Sequence, residues 1–165
     1  MRAAINVLLR KLGNFTSQYR TDSIRVLESI VELTKTEEIT DSQGNEFILI
    51  SGTLTAIDGF DDAIEDKTQF EAINNHVHVL DRVSRMEMKQ LRRLAPSLCQ
   101  IILHSLCSRY PNKYFYVFAS ATVHDSFILR FHQRWLNEIP YYEVKEDKKE
   151  WIICRSGSSS CAAEP

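Results

Sequence analysis

Four cysteines, five glycines and four prolines in 165 residues exclude a disulfide-dense miniprotein, a collagen-like repeat and a Gly/Pro-rich disordered chain. Cys99 and Cys107 fall on one predicted helix, about 12 Å apart by helical rise and beyond disulfide reach. Cys154 and Cys161 could meet only if the tail folded back. With no Cys-x-x-Cys pair, thioredoxin-like exchange and the common zinc knuckles have no support, and reduced thiols are expected. No apolar run approaches the roughly 18–20 residues needed to span a bilayer. The opening MRAAINVLLRKLG is broken by Asn6 and followed at once by Arg10 and Lys11, so it reads as a helix rather than a signal peptide. Neither sign of charge dominates, with 20 Lys and Arg against 22 Asp and Glu, which removes the global signature of a polyanion binder. These absences predict a cytoplasmic protein with no membrane partner and no cofactor.

What is present is an ordinary globular balance, 44% hydrophobic and 25% charged, sufficient for one domain over residues 1–155 followed by a flexible tail at 156–165. Helices are predicted over 2–12 and about 21–35, the second carrying Ile24, Leu27, Ile30 and Val31 on one stripe. TDSQGNEF is turn-rich and leads into a predicted strand at 46–57, with Gly52 as a bulge. The acidic stretch that follows reads as a loop or short surface helix, and 74–83 returns to a strand pattern. Ser84 and Glu87 form a capping-box pattern opening a helix that Pro96 should kink or divide. YFYVFASAT predicts a central strand, HDSFILRFHQRW its neighbour, and YYEV with EWIICR a final hairpin around KEDKKE. The order predicts an α+β fold, a mainly antiparallel sheet of about five or six strands with helices packed on one face.

In HDSFILRFHQRW, period two sends Phe127, Leu129 and Phe131 to one face and Arg130 and His132 to the other, with His124 at the start. His76 and His78 share a face of the earlier strand. Such spacing is the ordinary one of a wet strand face. If the two strands are neighbours, however, Arg130, His76, His78 and His132 make an anion-binding group. A phosphoesterase would use His132 as proton acceptor, His78 as donor and Arg130 to stabilise negative charge. Without HExxH or a Cys/His ligand series no metal site is predicted, and Ser126 lacks the GxSxG setting of a nucleophile.

Two charged stretches suggest partners. RVSRMEMKQLRR, residues 82–93, could contact phosphates, with Tyr114 and Tyr116 as stacking surfaces for RNA, although that aromatic run reads better as core. Asp58, Asp61, Asp62, Glu65 and Asp66 could instead cover a basic site on another protein, as an inhibitor or immunity protein would. Their spacing does not make an EF-hand loop. The leading expectation is therefore a small protein-interaction domain. The alternative is a phosphate- or RNA-binding protein or a phosphoesterase using the His/Arg sheet face.

Overall fold

Four helices and six strands are found in the computed structural model, which describes residues 20–54, 64, 66–81, 85–121, 126–144 and 150–155. In chain order they are α1 (Arg20–Thr34), β1 (Thr36–Thr40), β2 (Glu46–Ile50), α2 (Lys67–Asn74), β3 (His76–Asp81), α3 (Arg85–Arg109), β4 (Phe115–Ala121), β5 (Ser126–Gln133), α4 (Tyr141–Val144) and β6 (Glu150–Arg155). The strands form two antiparallel sheets, a β1-β2 hairpin and a four-stranded sheet in the order β3-β5-β4-β6. The fold is α+β.

The main core follows from alternation. Phe127, Leu129 and Phe131 of β5 align with Ala121, Ala119 and Val117 of β4, and Leu129 also aligns with Val77 of β3. Val26, Ile30 and Leu33 of α1 and Leu91, Leu98, Ile102 and Leu106 of α3 recur at helical spacing and close over that face. Each such side chain contributes roughly 1.5–3 kcal/mol on leaving water. A register shift between His78 and Leu80 buries both Val79 and Leu80 while His78 stays exposed. The opposite face is covered in part by α2 and α4, where Phe118 packs with Ala72, Tyr141 and Tyr142.

β2 is apolar on both faces. Ile48 and Ile50 join the main core, whereas Phe47 and Leu49 join Phe70 and Trp135 in a second cluster. Its edge away from β1 is met by side chains rather than by another strand. Ile48 N donates to Glu71 Oε1 at 2.8 Å and Ile50 N to Asn75 Oδ1 at 2.9 Å. Asn75 Nδ2 donates to Ile48 O at 2.7 Å, and Gln133 Nε2 to Glu46 O at 2.9 Å. Because buried backbone groups must find partners, this side-chain ladder is what lets β2 end a sheet inside the molecule.

Several elements depart from expectation. YYEV is the helix α4, not a strand: Pro140 suits a helix start, Glu143 N donates to Pro140 O, and both tyrosines bury beside Phe118. EWIICR therefore pairs with β4 instead of with YYEV. The strand predicted to reach residue 57 ends at Ile50, where Ser51 and Gly52 turn the chain and Gly52 takes a left-handed φ of 82°. TEEIT, to which no element was assigned from the sequence, is a strand whose hairpin with β2 is closed by Asp41 accepting from Gln43 N and Asn45 N. Pro96 lies inside the single helix α3 on an exposed position. The predicted helix at 2–12, four of the five acidic residues, His124 and the 156–165 tail lie outside the described residues.

Candidate functional site

The antiparallel pairing of β3 and β5 sets His76 directly opposite Arg130. His78, two residues along β3, puts its ring 5.4 Å from that of His76. Three of the four predicted anion-binding residues thus form one patch on the sheet face away from the main core. The Arg130 guanidinium is half-buried; Nη1 donates to Ala72 O at 3.2 Å, and its carbon lies 5.7 Å from the Tyr141 ring centre. Nε is buried without a hydrogen-bond partner, and no carboxylate forms an ion pair with Arg130 among the described residues. Burial pulls the Arg130 pKa below the ordinary guanidinium value, yet the group stays charged.

His76 is held by a hydrogen bond from Nδ1 to Ile73 O, which fixes the tautomer of the neutral ring and turns Nε2 away from that carbonyl. Burial, then the Arg130 charge and then His78, lower its pKa from the ordinary imidazole value. Arg130 supplies fixed positive charge and N–H donors on this face with no carboxylate paired to it among the described residues, while Glu28 and Glu32 line the cleft beside His78.

His132, expected on the wet face, is instead buried. It continues the Arg130 face toward β4, but α4 closes over it, and its ring lies 5.2 Å from Tyr116 and 5.7 Å from Phe118. Nδ1 donates to Gln133 O at 2.7 Å, while Nε2 accepts from Tyr141 N at 3.4 Å. Burial pushes its pKa down to about 4, so the ring is a neutral structural group at physiological pH. The predicted donor and acceptor, His78 and His132, therefore do not face a common solvent space. Among the described residues no group of three His, Cys, Asp or Glu could hold a metal ion, and no helix is long and apolar enough to cross a membrane.

Of the acidic stretch, Asp66 is described, and it caps α2 by accepting from Gln69 N at 2.6 Å. In the basic stretch, Lys89 and Arg93 are exposed on α3. Tyr116 packs with His132 and Tyr142, leaving no open aromatic platform at that position. The polar group that sequence reasoning missed is Glu71. Its carboxylate accepts from Ile48 N, Gln133 N, Gln133 Nε2 and Trp135 Nε1, the last at 3.1 Å. Burial pushes its pKa up to about 7 against those four hydrogen bonds, which favour the charged form. The Asp66-x-x-Gln69 cap that starts α2, which the sequence reading did not use, places Glu71 and Asn75 one turn apart on a shared face without marking what they bond. Compared with known protein families, curated proteins and solved structures, the chain matches none.

Proposed function

We propose that this chain is a binding domain that recognises a phosphate or similar oxyanion group through Arg130, His76 and His78. The observation that carries the reading is the half-buried Arg130 guanidinium, set against His76 and lacking any carboxylate partner among the described residues. A guanidinium fixed by Ala72 O and Tyr141 is pre-oriented, so an incoming oxyanion meets a planar donor whose side-chain entropy is already reduced. Binding rather than catalysis is favoured because the imidazole best placed in sequence to act as base, His132, is neutral with both nitrogens engaged.

Calorimetric titration with inorganic phosphate at low salt tests the reading. A charge-assisted hydrogen bond is worth about 1.5–3 kcal/mol, so Arg130→Gln should weaken phosphate binding by roughly 10- to 100-fold while thermal unfolding changes little. Arg130→Lys should recover only part of the loss, since it restores charge without the planar fork. Equal affinities for the wild type and Arg130→Gln would discard the site.

A further inference from the structure

The segment between β5 and α4 is a rigid turn that presents aliphatic side chains to water. Arg134 N donates to Tyr114 O at 2.8 Å, and the Trp135 ring packs 5.1 Å from Phe47 beneath the Lys67 ammonium at 4.7 Å. Glu138 Oε2 accepts from Thr68 N at 2.7 Å, tying the other side of the turn to α2. Asn137 takes a left-handed φ of 65°, a turn conformation that asparagine adopts more readily than other residues with a Cβ. Between these anchors Leu136 is 87% and Ile139 59% exposed. A loop fixed on both sides that holds two aliphatic groups outward is built as a plug.

A matching receptacle lies toward the other end of β2, roughly four residues or about 13 Å from Phe47 along the strand. It is an open groove of about 690 Å³ between α1 and the turn after β2, with Leu27, Val31 and Ile50 as its apolar lining. Val31 is 50% exposed. Glu28 and Glu32 stand exposed on the α1 side of the groove, with Lys35 the one cation among its lining residues. The plug carries Arg134, exposed and without an ion pair among the described residues. Convex apolar surface beside a cation and concave apolar surface beside two carboxylates are complementary, and the same chain carries both.

We propose that copies of this chain associate head to tail, Leu136 and Ile139 of one copy entering the α1–β2 groove of the next, with Arg134 meeting Glu28 and Glu32. Such a contact is heterologous, so each copy keeps one free plug and one free groove and association proceeds beyond a dimer unless the rotation closes a ring. It uses neither Arg130 nor His76, while Glu28 and Glu32 also line the cleft beside His78.

Sedimentation equilibrium of the full chain across micromolar to millimolar concentration tests the proposal. The wild type should show a weight-average mass rising with concentration. Leu136→Glu, which disables the plug, and Val31→Glu, which disables the groove, should each stay at monomer mass when alone. Mixed, they should form a complex that stops at two chains, because one intact plug meets one intact groove. Arg134→Glu should weaken association by about tenfold or more, with partial recovery on mixing with the Glu28→Arg/Glu32→Arg variant. A wild type that stays monomeric throughout overturns the proposal, whether a self-covered groove or a lipid-binding loop is the reason. Self-association of either single variant, or failure of the folded pair to combine, overturns it equally.

Discussion

Replacing Asn75 tests the side-chain ladder that closes β2. Asn75 is fully buried and serves two backbone groups at once, accepting from Ile50 N and donating to Ile48 O. Truncation in Asn75→Ala leaves one N–H and one C=O buried without partners, at about 1–3 kcal/mol each, so the loss should be roughly 2–6 kcal/mol. That is a large share of the about 5–15 kcal/mol that holds a domain folded. Asn75→Asp is the sharper variant. At neutral pH the introduced carboxylate still accepts from Ile50 N but sets an oxygen against Ile48 O. Once protonated it offers a hydroxyl that can donate to Ile48 O and nearly restores the native pattern. Its folded pKa is thus raised above the unfolded value, and the corresponding stability is present at low pH and lost as pH rises through the folded pKa. Urea unfolding at several pH values reads both effects. An Asn75→Ala variant within about 0.5 kcal/mol of wild type, or an Asn75→Asp deficit that does not shrink on acidification, would refute the reasoning.

Two further predictions use buried titrating groups. Glu71 has a folded pKa of about 7 against an ordinary 4.5, so its linked stability is fully present below pH 4.5 and lost as pH rises through 7. The wild type should therefore lose up to about 3 kcal/mol relative to Glu71→Gln over that window, and a pH-independent difference would exclude a raised pKa. His132 runs the other way: with its folded pKa lowered from 6.5 to about 4, its linked stability is present above 6.5 and lost as pH falls through 4. Relative to His132→Phe, the wild type should lose up to about 3 kcal/mol on acidification, measured by chemical unfolding; a flat difference would place His132 in water.

Strong local patterns were legible in the sequence. The Phe127, Leu129, Phe131 alternation, the long period of Met88 through Leu106 and the turn chemistry of TDSQGNEF each reappear in the fold. Strand neighbourhood was not, because pairing β3 with β5 depends on a contact separated by dozens of residues and on a bulge that periodicity alone does not announce. YYEV was misread for a related reason: its tyrosines have strand propensity, but packing on Phe118 and His132 decides for a short helix. Glu71 and Gln133 resemble surface residues of a helix and a strand end, and nothing local marks them as partners of β2. The sequence grouped His76, His78, Arg130 and His132 by residue type, and only α4 reveals that His132 lies beneath that face rather than on it.

The central claim is that Arg130, His76 and His78 receive an oxyanion, and histidine ring resonances followed by NMR through a pH titration test it most directly. An anion bound beside an imidazole stabilises its charged form, so added phosphate should raise the lowered pKa of His76 and move the ring resonances of His78. The ring resonances of His104, exposed on α3, and of His132, buried beneath α4, should be the same with and without phosphate. An unmoved His76 pKa at saturating phosphate, or resonance shifts shared equally by His104, would contradict the site.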